Sequence, residues 1–300
     1  MSYKLSYLNP IRFHQSGIGD FAYNEIPAHE FQRGYNQVYF HGDRPWIQVL
    51  SATPFAAMFM KLIDNEGTVY KTWQFYRSGY SYGAWFTFDW VGVFPPASVA
   101  PAGVYFLKLE IQDAGGSLVF YSEPISLVAS QDETLKIVYT HDLNEFDTYF
   151  TIGTGVNFLL RVEGGVKSEG LQPGGKFTMF QDLDYQSLIL QAQPYNVEKF
   201  TFGPSAGIPN HLADKLNRIF SLSSVTINGT AYTRNEGAKM ERNGETDYPL
   251  AGWSLELVKT ANPYSDAFSE YTPKSAFTAD NTLKTADTTL YTADQTEYLP

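Results

Sequence analysis

A mainly β chain with two successive antiparallel domains and a differently built C-terminal tail is what this sequence predicts. Three observations carry that expectation. Short segments rich in Val, Ile, Phe, Tyr and Trp, bounded by turn residues, recur from residue 36 to residue 259. Only one segment in that range has apolar residues at helical spacing. After about residue 262, Pro, Ser, Thr and Asp take over and the signs of a packed core fade.

The elements follow in order. NQVYF (36–40), WIQVLSA (46–52) and AAMFMKLI (56–63) read as strands, and DNEG (64–67) turns the chain into TVYKTWQFY (68–76). Past the Gly- and Tyr-rich SGYSYGAW, VYFLKLEI (104–111), the turn DAGGS (113–117) and LVFYSEPISLV (118–128) read as the closing hairpin of a sandwich. Residues 1–130 are therefore expected to form an Ig-like β-sandwich, with a jelly roll of the same strand count as the alternative. A second β-rich domain, of sandwich type, is expected over 131–262. Its strand-like segments are TLKIVYT (134–140), YFTIG (149–153), NFLLRVEGG (157–165), KFTMFQ (176–181), SLILQAQPY (187–195) and EKFTF (198–202). VTING and TAYTR (225–234) form a hairpin around Asn228-Gly229, and WSLELVK (253–259) is the last strand. Between them Ile208, Leu212, Leu216 and Ile219 fall at helical spacing, and Pro209 suits a first turn, so one amphipathic helix is expected near 208–220.

Composition limits function. The chain has 300 residues, 21 Tyr, 22 Phe, 18% charged residues and a formal charge of -11. That aromatic content supports a folded chain, and the acidic balance argues against nucleic acid as a partner, because phosphate binding needs clustered Lys and Arg. Zero Cys excludes disulfides, thiolate metal sites and Cys nucleophiles. MSYKLSYLNPIRF lacks the apolar stretch of a signal peptide and no run is long enough to cross a membrane, so a soluble chain made in the cytoplasm is expected.

Three patterns imitate chemistry. Gly203-Pro-Ser205-Ala-Gly207 lies between a predicted strand and the predicted helix, the context of a nucleophile elbow. Such a hydrolase needs an acid and then a His after the serine, and only His211 follows, within the same helix, so a glycine-rich turn is the favoured reading. Gly170 to Lys176 matches a phosphate loop, yet Phe177 stands where Ser or Thr should bind magnesium, which favours a plain loop between strands. His14, His29, His41, His141 and His211 never recur at metal-pair spacing. Asp142, Glu145 and Asp147, and also Asp182 and Asp184, could hold calcium or act as an acid/base pair but lack EF-hand placement, and read as turn formers. No catalytic, metal or cofactor-binding residue is assigned.

The order of phrases resembles a family of virion and tail-associated structural proteins of Bacteroidetes phages and prophages. The stretches are VYFHGDRPWIQVLS (38–51), LIDNEGTVYKTW (62–73), GVYFLKLEI with YSEPISLV (103–128), TLKIVYTHDLNEFDTYF (134–150), FLLRVEGG (158–165), FTFGPSAGIPNHLADKLNRIFS (200–221), VTINGTAYT and YPLAGWSLELV (248–258). The resemblance implies a non-enzymatic virion subunit that contacts copies of itself and other virion proteins, with neither nucleic acid nor membrane as partner. A carbohydrate- or receptor-binding module is the alternative, because YSYGAWFTFDW (80–90) contains Trp85 and Trp90 that could stack on sugars.

The tail lies outside that resemblance. Thr-Ala-Asp recurs at Thr278, Thr285 and Thr292, seven residues apart. A heptad seam is conceivable through Ala279, Leu283, Ala286, Leu290 and Ala293, but Thr and Asp make marginal helices. Calcium-binding repeats would need glycines, and none follows Gly252. A free disordered tail would not need apolar residues. Residues 263–300 are therefore read as an extended arm kinked by Asx turns and laid on a neighbouring subunit, with Phe277, Leu283, Leu290, Tyr291, Tyr298 and Leu299 as its contacts.

Overall fold

The computed structural model describes residues 3–15, 35–52, 57–82, 85–113, 116–150, 155–181, 187–244, 250–260, 275–277, 283–285 and 290–291. Residues 1–260 form one compact unit and 261–300 a second. The chain is mainly β with a single helix among the described residues.

The first eleven strands are β1 (Tyr3–Leu5), β2 (Phe13–His14), β3 (Gln37–Phe40), β4 (Trp46–Ser51), β5 (Ala57–Ile63), β6 (Val69–Gln74), β7 (Tyr76–Tyr82), β8 (Trp85–Val91), β9 (Gly103–Asp113), β10 (Gly116–Ser122) and β11 (Ile125–Val128). One sheet runs β1-β4-β8-β7, all antiparallel. In the other, β9 pairs with β5 on one side and with β10 and then β11 on the other, β6 extends β5, β2 extends β10, and β3 joins β11 in parallel. The two sheets share one core. Ile47, Val49, Phe88 and Trp90 from the first meet Met58, Met60, Leu62, Leu107, Leu109 and Leu127 from the second. Strand alternation explains the choice, since Met58, Met60 and Leu62 are buried while Ala57, Phe59 and Lys61 are half-buried.

Two expectations change here. TVYKTWQFY is divided at Phe75 between β6 and β7, because Phe75 turns into the core and the chain leaves one sheet for the other. The aromatic run YSYGAWFTFDW is largely strand as well, split between the end of β7 and β8.

The second body contains β12 (Thr134–Thr140), β13 (Phe158–Gln181), β14 (Ser187–Phe202), β15 (Ile208–Pro209), α1 (Asn210–Ile219), β16 (Ser224–Ile227), β17 (Thr230–Arg234), β18 (Glu241–Asn243) and β19 (Leu250–Lys259). It is a closed barrel, where the sequence suggested a sandwich-type domain. β12, β13, β14, β19, β17 and β16 pair in that order and β16 returns to β12, giving six antiparallel strands. β14 makes this possible by pairing with β19 on its second side over Val197–Phe202, which removes the edge a sandwich sheet would leave. Inward residues Ile137, Tyr139, Phe158, Leu160, Phe200, Phe202, Val225, Ile227 and Leu255 share a core with Leu212, Ala213, Leu216 and Ile219 of α1.

Smaller corrections follow from the same pairing. YFTIG is no strand at Tyr149 and Phe150, and residues 151–153 lie outside the described residues. Pro209 is the extended N-cap of α1 and pairs with Leu250, so the helix starts one residue after it. The four segments between 157 and 202 are two long strands, not four short ones.

Candidate interaction surface

The barrel uses only part of its longest hairpin. β13 pairs with β12 over Phe158–Glu163, and β14 pairs with β19 over Val197–Phe202. Beyond a register shift between Val166 and Leu171, residues 171–181 and 187–196 pair with each other and, among the described residues, with no other strand. Eleven residues at about 3.3 Å each carry this two-stranded ribbon roughly 35 Å past the barrel. Met179 and Phe180, opposite Ile189 and Leu188, are 65% and 55% exposed. Sequence reasoning missed the ribbon because it read the segments as separate strands. A signal was present: on the strand stretches 171–181 and 187–196 the sole charged residue is Lys176, in a chain that is 18% charged.

The tail contacts expected from the sequence are placed in part. β20 (Ser275–Phe277), β21 (Leu283–Thr285) and β22 (Leu290–Tyr291) pair antiparallel. Phe277 stands opposite Leu283, Leu283 opposite Tyr291, and Leu290 opposite Lys284. Tyr298 and Leu299, and the expected turns at Asp280, Asp287 and Asp294, lie outside the described residues. This corrects the extended arm: the strands fold back on one another, because a seven-residue period holds a short strand and a turn.

A cluster of titratable groups holds the two β bodies of residues 1–260 together. Glu123, at the bend between β10 and β11, lies 3.5 Å from Arg12, 3.6 Å from His14 and 3.2 Å from His211 of α1. Burial pushes the Glu123 carboxyl up, but hydrogen bonds from His14 and His211 and the charges of His211 and Arg12 outweigh it and hold it well below the usual carboxylate range. Lys215 of α1 donates to Asn9 O at 2.6 Å, and burial lowers its pKa to about 8, with the Glu123 charge opposing and Arg12 adding. Nearby, Arg161 of β13 grips buried Asp43 with two bonds, Nη2 to Oδ1 at 2.9 Å, and stacks 3.7 Å from the Phe40 ring centroid. Gln48 donates to Tyr149 O at 2.9 Å and accepts from Tyr149 N at 2.7 Å, while the Tyr139 hydroxyl donates to Leu8 O at 2.5 Å. These groups are spent on one another. The arrangement fixes orientation and leaves no proton-transfer pair aimed at a groove.

The elbow reading loses its base. Ser205 sits in a turn whose groove of about 300 Å³ has no histidine among its described lining residues, and the His211 ring is held by Glu123. Its glycines have a packing reason. Gly203 and Gly207 both take positive φ, and a Cβ on Gly207 would come within 2.6 Å of Ala251 N. The phosphate-loop match Gly170 to Lys176 lies inside β13, correcting the loop expected there; an extended strand cannot wrap its NH groups around a phosphate.

Trp90 is 1% exposed and packs edge-on to Trp73 at 5.3 Å, so it is core. Trp85 instead borders a groove of about 220 Å³ with Lys4, Asn144, Glu145, Asp147 and Tyr149, and the Lys4 ammonium lies 5.2 Å from its ring centroid. The acidic loop there is tied locally, by Lys4 to Asp147 at 3.5 Å and His141 to Glu145 at 3.8 Å. Among the described residues no three His, Asp or Glu converge for a metal, and no helix is long and apolar enough to cross a membrane. Asp182 and Asp184 lie outside the described residues. Comparison of the chain with protein-family models, with curated proteins and with solved structures finds no match.

Proposed function

We propose that this chain is a non-enzymatic structural subunit of a bacteriophage particle, assembled in the host cytoplasm into a tail, neck or baseplate ring and carried in the virion. The observation that carries the reading is a body of two β cores, braced by buried ion pairs, that extends an almost uncharged two-stranded ribbon. Its partners are copies of itself and other virion proteins, with neither nucleic acid nor membrane.

Residues 3–128 are assigned an Ig-like sandwich. The support is the strand order β1-β4-β8-β7 facing β6-β5-β9-β11-β3, the parallel pairing of β3 with the last strand, and Tyr105 at the start of β9 donating from its hydroxyl to Pro101 O at 2.7 Å. Such a tyrosine corner recurs in Ig-like folds.

Mass spectrometry of purified particles tests the function. The chain is expected in many copies per particle, and its absence from particles overturns the reading. The Trp85 groove favours glycan or receptor binding on a phage tail as a second reading. Glycan-array binding lost on Trp85→Ala with an unchanged melting temperature would establish it, and no binding removes it.

A further inference from the structure

We propose that the β13–β14 ribbon is the surface through which one copy of this chain binds a second copy. The proposal rests on the structural-subunit reading and deepens it by naming the contact.

A two-stranded ribbon without a third strand or a helix against it is marginal in water. This one offers unpaired backbone NH and C=O groups along both outer edges, because residues 171–181 and 187–196 pair only with each other among the described residues. Proteins that keep such edges solvated guard them with charge or proline. Pro173 and Pro194 stand near the base, where they remove one donor from each strand, but the distal stretch carries no guard beyond Lys176. At the far end Met179 and Phe180 are more than half exposed. Edges of this kind bind by adding strand to strand, with large apolar side chains anchoring the register.

Charge selects the occupant. The chain carries -11, so two copies repel over most of their surface, and a basic partner would be drawn to acidic patches. The ribbon strands carry one Lys and no acid, the composition that lets two copies of an acidic chain meet with least repulsion.

The test is sedimentation of the full chain over a broad concentration series, beside Met179→Asp with Phe180→Asp. The wild type is expected to form a defined oligomer, and the double variant to keep its melting temperature while assembling about a hundredfold more weakly. Should the aspartates disturb the ribbon itself, Met179→Gln with Phe180→Gln keeps it uncharged and is expected to weaken assembly about tenfold or more. Unchanged assembly of both variants overturns the proposal, as does a wild type that stays monomeric at every concentration. Particle analysis separates the two claims. A monomeric chain found in particles, whose ribbon variants are not incorporated, means that another virion protein occupies the ribbon; a ribbon-dependent oligomer absent from particles leaves this contact standing while the subunit reading falls.

Discussion

Residues 3–128 hold two open sheets around one core, whereas residues 134–259 close six strands into a barrel, and the two bodies differ in where they leave backbone unpaired. The open body ends in short outer strands. β6 pairs only with β5 among the described residues and carries Lys71 on its largely exposed surface, a familiar guard against edge-to-edge association. The barrel has no free edge around its circumference, yet its longest hairpin runs on past closure. Closure thus concentrates the unpaired edge at one place. That contrast makes the ribbon the place to seek contacts and the joint between the bodies the place to seek stability.

The joint is where the comparison breaks most severely. Arg161→Met leaves Asp43 buried without its cation and is expected to cost about 3 to 5 kcal/mol. Adding Asp43→Asn should recover much of that loss, and denaturant melts of the single and double variants measure it. If each body had independent stability, Arg161→Met would instead split the melt into two transitions.

Next is the barrel core. Leu216 is fully buried with Phe158, Phe202 and Leu255, and Leu216→Ala is expected to cost about 2 to 5 kcal/mol through the cavity it leaves. A tolerated Leu216→Asp would show that α1 is not packed there.

The pH profile sharpens the role of the joint. Lys215 releases its proton near pH 8 in the folded chain and near 10.5 in the unfolded one, so between these values the unfolded state binds more protons and stability rises with pH, by at most about 3 kcal/mol. Above about pH 10 the unfolded tyrosines ionise while burial keeps Tyr39 and Tyr139 neutral, so stability then falls. Glu123, held low, contributes stability that is present above its ordinary pKa and lost as pH drops below it. Melting temperatures across pH should show the alkaline rise in the wild type and lose it in Lys215→Met.

The smallest effect belongs to a turn. Asn228 and Gly229 both take positive φ, as a two-residue primed turn requires, and a Cβ on Gly229 would meet nothing within 4 Å. Gly229→Val therefore costs backbone strain alone, about 1 to 3 kcal/mol, and thermal melting reads it. An unchanged melting temperature would remove the turn's strain from the account.

Local chemistry was legible where it depends on neighbours in sequence. The Asn228-Gly229 hairpin, the spacing of Leu212, Leu216 and Ile219, and alternating segments such as MFMKLI announce turn, helix and strand without help. The ribbon was half legible. Its scarcity of charge stands in the sequence, but its continuity is hidden by glycine and proline from Gly164 to Gly175, which read as a break and in fact sit within a bulged strand. The tail repeat announced its period, and pairing among β20, β21 and β22 decided what the period does.

By itself the sequence determined a β-rich chain, one amphipathic helix with a buried face, and the positions of several turns, because those follow from alternation, helical periodicity and φ preference within a few residues. Tertiary structure alone decided that six strands close, that β13 and β14 outrun the closure, and that Glu123 meets His14 and His211 while Asp43 meets Arg161. Those outcomes rest on register and on contacts between residues as much as 118 positions apart. Register is a property of two strands together, and a buried charge is stable only once its distant partner has arrived.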